Sequence, residues 1–256
     1  MALKLAEDDP LAVAVVEAIH AGNDDGLNEM LSRNPSLATA FIACADGVAR
    51  SLLHVATDWP GDFPNNVAVV VTLAKAGADV NARNSPLTET PLHWAASSDN
   101  VDVIDALLDA GAAIDSPGAV IAGGTPLDDA VAFGQWQAAR RLVERGARTA
   151  PWHVAALGLM DRLEADFAGR PARAPFPWGA AAKAPPDDLT VSFWCACHGW
   201  QQRAAAYLLE RGADLNWMSV WDDLTPLDAA VRAGADELVG WLRDRGAKSG
   251  RELSQR

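Results

Sequence analysis

His54, Asp58 and Trp59 lie close together along the chain, and a second histidine–aromatic pair, His93 and Trp94, follows them. A carboxylate one helical turn from a histidine can tune its pKa for acid–base chemistry, and histidine titrates nearest neutral pH. These five residues therefore form an alternative small-molecule or catalytic site. A plainer role is also open to them: Asp58 caps a helix end or meets solvent, while Trp59 and Phe63 pack an insertion onto the scaffold. Cys195-Ala196-Cys197-His198 resembles a metal cluster in spelling. On a helix, however, residues two apart point roughly 200° apart, and a further ligand at zinc spacing is missing nearby, so no metal is expected. The chain also lacks a phosphate-cradling glycine loop, a nucleophile elbow and a zinc-protease helix motif. Binding without a cofactor is therefore favoured over catalysis.

The elements that position these residues repeat. Gly-Ala recurs at Gly77, Gly111, Gly146, Gly212 and Gly246, and each copy closes an apolar helical run. Thr90-Pro91-Leu92-His93, Thr125-Pro126-Leu127-Asp128 and Thr225-Pro226-Leu227-Asp228 each lead the next Gly-Ala by 21 residues. A period near 33 marks a helical repeat array. Thr-Pro-Leu-His, Ala95-Ala96, the run VDVIDALLDAGA and the ends Gly77-Ala78-Asp79-Val80-Asn81 and Gly212-Ala213-Asp214-Leu215-Asn216 closely resemble ankyrin repeats.

The resemblance implies an all-α solenoid of about seven helix-turn-helix repeats in one elongated domain over 1–256. The units run at about 9–36, 51–81, 90–115, 125–149, 150–168, 189–216 and 225–248. Trp59 to Pro64 is a turn-rich insertion in the second unit. Residues 169–188 hold five prolines, which rule out a continuous helix and make a long connecting loop. The resemblance further assigns His54, His93 and His153 to one position, where the imidazole steadies the turn into the helix. Asp128 and Asp228 take that place in two other units.

The segments from Gly-Ala to the next Thr-Pro correspond to the family's finger loops, which with the inner helices form its usual binding face. They are irregular here. The turn glycine is kept at Gly123, whereas Thr88 and Asp223 stand in its place elsewhere. Val120 and Ile121 sit on one finger, Phe176 and Trp178 on the long loop, and Trp217, Met218 and Trp221 on the last finger. Large apolar groups on loops tend to mark interaction sites. Equally, the long loop can fold back and bury its own aromatics against Trp217 and Trp221.

The formal net charge of −13 disfavours DNA or RNA, whose phosphates need a basic face, and fits a basic protein partner. No apolar run approaches the roughly 18 residues that span a bilayer. The start MALKLAEDDP lacks the basic and apolar regions of a secretory signal, and the three cysteines have no framework spacing. A cytoplasmic monomer acting as a protein-binding scaffold or adaptor is the resulting expectation.

Overall fold

The structure, a computed structural model, describes residues 3–45, 47–120, 123–168 and 187–255. It comprises two compact units, Met1–Ala147 and Arg148–Arg256. The expected Pro-rich loop, apart from its last two residues, lies outside the described residues together with Phe176 and Trp178; Ile121 does too.

Helices pack in consecutive pairs. In the first unit these are α1 (Pro10–His20) with α2 (Asp24–Arg33), α3 (Leu52–Ala56) with α4 (Asn66–Lys75), α5 (Pro91–Ser97) with α6 (Val101–Asp109), and α7 (Pro126–Ala132) with α8 (Trp136–Glu144). The second unit pairs α9 (Pro151–Ala156) with α10 (Met160–Phe167), α11 (Asp188–His198) with α12 (Gln202–Glu210), and α13 (Pro226–Arg232) with α14 (Asp236–Arg243). A further helix, α15 (Gly250–Ser254), follows.

The recurrent Gly-Ala has a geometric cause. At Gly111 the backbone turns left-handed, φ 96°, so its N–H reaches Leu108 O and the Ala112 N–H reaches Leu107 O. This paired closure satisfies carbonyls that the helix end leaves open, and glycine adopts it without a Cβ penalty. The same two hydrogen bonds recur at Gly77, Gly146, Gly212 and Gly246. The alanine that follows is buried at Ala147, Ala213 and Ala247, where a larger side chain would have no room.

Spacing on the helices buries one stripe of each. Val103, Ile104 and Leu107 of α6 are buried, as are Leu92, Ala95 and Ala96 of α5. The small alanines let inner helices approach closely. In the second unit, Val154, Leu163, Phe193, Leu208, Leu227 and Leu242 belong to one continuous core. The inner helices approach closely at Gly199, where a Cβ would lie 2.0 Å from the Ala156 carbonyl oxygen. Gly199→Ala should therefore force α9 and α11 apart and destabilise the second unit by about 1–3 kcal/mol. Urea unfolding of the variant checks this, and an unchanged midpoint would refute the close approach.

The helical expectation gains a small sheet. β1 (Lys4–Ala6) pairs parallel with β2 (Phe41–Ala43), which pairs antiparallel with β3 (Ala49–Ser51). β2 and β3 form the finger before α3, and β1 covers its open edge, removing an unpaired strand.

Candidate functional site

Inner helices α3, α5, α7 and α13 each open with a closed polar box. Thr90 N–H and hydroxyl reach His93 Nδ1 at 3.0 and 2.8 Å, and Ser51 N–H and hydroxyl reach His54 Nδ1 at 3.3 and 2.7 Å. Asp128 and Asp228 perform the same task with Oδ2 for Thr125 and Thr225. The two residue types are interchangeable here because both put an acceptor three residues after the cap.

His54 is closed on its other side as well. Its Nε2 lies 3.1 Å from Glu89 O, and a carbonyl only accepts, so Nε2 carries the proton and Nδ1 accepts from Ser51. Burial, above all, pushes its pKa down to about 4. His93 is also lowered to about 4, first by burial. Its Nε2 lies near backbone groups of Gly124 and Ser116 without completing a hydrogen bond of good geometry to either.

The carboxylate placed beside His54 by sequence turns elsewhere. Asp58 Oδ2 binds Arg50 Nη1 at 3.1 Å, and its Oδ1 accepts the Trp59 N–H at 2.8 Å. Arg50 lies 5.4 Å over the Trp94 ring. Trp94 stands edge-on to His54 at 5.1 Å and donates its indole N–H to Glu89 Oε2 at 3.1 Å. His54, Trp94, Arg50 and Asp58 thus come together, but both His54 nitrogens are occupied and none is left to take a substrate proton. Trp59 points away and is 81% exposed, contrary to the expectation that it packs the insertion down; Phe63 does pack, stacked on His20 at 4.3 Å.

The fingers are built differently. Thr88, Gly123 and Asp223 all have positive φ, at 75°, 70° and 54°, so the left-handed turn persists where glycine is replaced. Asn81 accepts the Ala113 N–H at 2.7 Å and donates to Gly111 O at 3.2 Å; Asn216 likewise accepts the Lys248 N–H at 2.7 Å. Each asparagine closing a Gly-Ala-Asp-x-Asn run therefore ties its finger to the next. Arg83 ties two fingers at three points: Thr88 O at 2.7 Å, Pro117 O at 2.6 Å and Ser116 Oγ at 3.1 Å.

Repeated helix pairs, capping boxes and stapled fingers are the geometry on which the comparisons bear. Residues 53–150 match the family model described as ankyrin repeats (3 copies). Residues 53–150 are thus ankyrin repeats. Over 48 residues the chain is 50% identical to the Kluyveromyces lactis Palmitoyltransferase AKR1, a match that covers 19% of the chain and 6% of that enzyme. A solved structure of the human ASB11 ankyrin repeat domain aligns at 24% identity and a TM-score of 0.43, over 78% of this chain and 90% of that one. Ankyrin repeats are generally protein–protein interaction modules.

On the ankyrin fingers the structure places the apolar residues as follows. Val120 is 61% exposed, and on the neighbouring finger Leu87, which the sequence did not single out, is 50% exposed. On the last finger Trp217 and Trp221 are half-buried, with rings edge-on at 5.4 Å, and Trp221 meets the buried Trp194 of α11 at 5.1 Å. Met218 and Val220 beside them are 39% and 38% exposed. Val220 stands five residues before Thr225, as Val120 does before Thr125, and this register is the signal that could have revealed it. Ser219 and Asp222 hydrogen-bond across the tip, and Arg232 pairs with Asp222 at 2.8 Å.

Cys195 and Cys197 are buried on α11, and burial pushes the Cys197 thiol well above its ordinary pKa. Among the described residues no group of three or more His, Cys, Asp or Glu is placed to hold a metal ion. No described helix is long and apolar enough to cross a membrane. Charge is uneven: residues 1–147 carry 20 Asp and Glu against 8 Lys and Arg, a formal −12 of the total −13.

Proposed function

We propose that this protein is an adaptor that holds a protein partner against its finger loops and inner helices. The observation that carries this reading is the exposure of apolar side chains at successive fingertips, Leu87 and Val120 in the first unit and Met218 with Val220 in the second. A folded chain gains by burying such groups, and interfaces use them as anchors. Trp217 and Trp221, braced on Trp194, supply rigid aromatic area beside Met218. The acidic first unit favours a partner with a basic face through long-range attraction. Three cysteines that form no disulfide, Cys44, Cys195 and Cys197, support a reducing, cytoplasmic setting, and the reading takes the protein as a monomer.

A photocrosslinking residue at Val120 or Met218 should capture a protein partner, whereas one at Ala110, at the C-terminal end of the outer helix α6, should not. With that partner purified, Trp217→Ala/Trp221→Ala should weaken binding by at least about tenfold. Affinity unchanged in the double variant, with the variant folded, would move the interface off the last finger.

A further inference from the structure

The insertion Trp59-Pro60-Gly61-Asp62-Phe63-Pro64 joins α3 to α4 at the helix ends remote from the fingers. It is clamped on both sides. Toward the first helix pair, Phe63 stacks on His20, and Asn65 Nδ2 donates to Gly22 O at 3.2 Å. Toward the third, Gly61 O accepts from Asn100 Nδ2, and it also accepts from Asn66 Nδ2 of its own helix pair at 2.9 Å. Gly61 sits so near Ser98 that a Cβ there would come within 2.5 Å of the Ser98 Cβ. A loop held this firmly nevertheless leaves Trp59 almost wholly in water.

Beside the loop lies a recess of about 600 Å³ between Gly61–Asn66 and Ser98–Asp102. Three carboxylates, Asp62, Asp99 and Asp102, line it, and no lysine or arginine does. Asp99 is engaged by the Ala138 N–H at 2.7 Å and by Gln137 Nε2 at 3.2 Å. Asp62 and Asp102 are exposed and have no ion pair or side-chain hydrogen bond among the described residues.

An exposed tryptophan forgoes a large apolar burial, and its loop is already ordered, so a partner covering it pays little conformational entropy. The recess sets the sign of that partner. Uncompensated carboxylates repel acidic peptides, nucleic acid and anionic lipid, and attract a cation. A planar guanidinium both stacks on an indole face and forms forked hydrogen bonds to a carboxylate, which an ammonium does less well. We propose that Trp59, Asp62 and Asp102 form a second docking surface, separate from the fingers, that receives an arginine-bearing segment of a protein partner.

The test uses a fluorescein-labelled peptide of alternating arginine and leucine, followed by fluorescence anisotropy with the full chain. The arginine peptide should bind, its lysine counterpart more weakly, and its glutamate counterpart not at all. Trp59→Ala should weaken binding by about tenfold. Asp62→Asn/Asp102→Asn should weaken it and flatten its salt dependence. Trp217→Ala/Met218→Ala on the last finger should leave it unchanged, which keeps this surface distinguishable from the finger interface. Because Trp59, Asp62 and Asp102 are exposed, the variants at these three positions should melt like the parent. Three results would overturn the proposal: no binding of the arginine peptide, affinity within about twofold for both recess variants, or self-association of the chain that Trp59→Ala abolishes, which would make a second copy the occupant.

Discussion

Stability should fall as the pH drops from about 6.5 toward about 4, because His54 and His93 are held neutral in the folded chain. Burial is the main cause for both; the Arg50 charge adds to it for His54, as His93 does once protonated, and the Arg83 charge adds to it for His93. The unfolded chain protonates its histidines at about 6.5, so between these values it binds more protons than the folded one. By linkage, unfolding free energy then decreases as pH decreases, and the loss levels off below about 4. At pH 5 the expected loss is on the order of 2 kcal/mol for each histidine. That pH also lies above the usual carboxylate range, which keeps the effect apart from general acid unfolding. Urea unfolding at pH 7.5 and pH 5 checks it, with His54→Gln/His93→Gln as the reference. The double variant should be less stable at pH 7.5 and lose much less between the two pH values. An equal loss in both proteins would show that these imidazoles do not govern the response.

Trp194→Ala should destabilise the second unit by about 3–5 kcal/mol. Trp194 is buried on α11 against the rings of Trp221 and His198, and its indole N–H donates to Leu224 O at 2.9 Å. Truncation therefore opens a cavity and removes one of two donors to Leu224 O, which keeps the Ser219 N–H at 2.9 Å. It should also release the last finger, since Trp221 loses the ring it leans on. Near-UV circular dichroism and amide exchange over residues 212–225 would report the release separately from the drop in stability. Trp194→Phe keeps most of the volume but not the hydrogen bond, and should fall between. A finger that stays protected in Trp194→Ala would show that Ser219, Asp222 and Arg232 hold it unaided.

Much of the fold was legible because its signals are local. Gly-Ala and Thr-Pro-Leu each encode a helix end, and a cap depends on residues within one turn of it. The three-residue strands gave no such signal, since an alternation needs more positions than they have. α15 had one: Ser249 and Glu252 form the same closed box as Thr90 and His93, with Ser249 N–H at 2.7 Å from Glu252 Oε2, but without the Thr-Pro-Leu spelling. The site was harder to read. Asp58 was within reach of His54 along a helix, yet its actual partner, Arg50, comes from β3, and strand-to-turn pairing has no fixed sequence spacing. The insertion was visible as extra residues, whereas the opposite fates of its two aromatics depend on His20, far away in the chain.

Arg83 has a consequence for binding that concerns time rather than affinity. By grasping Thr88 O, Pro117 O and Ser116 Oγ, one guanidinium couples two loops that separate helix pairs carry. Under the proposed finger interface, loops so joined would not search independently, and a ligand that had found Leu87 would meet Val120 in the same encounter. These two fingers would then act as a single blade, and the slow step of the proposed recognition would shift from closing loops to finding the blade's orientation.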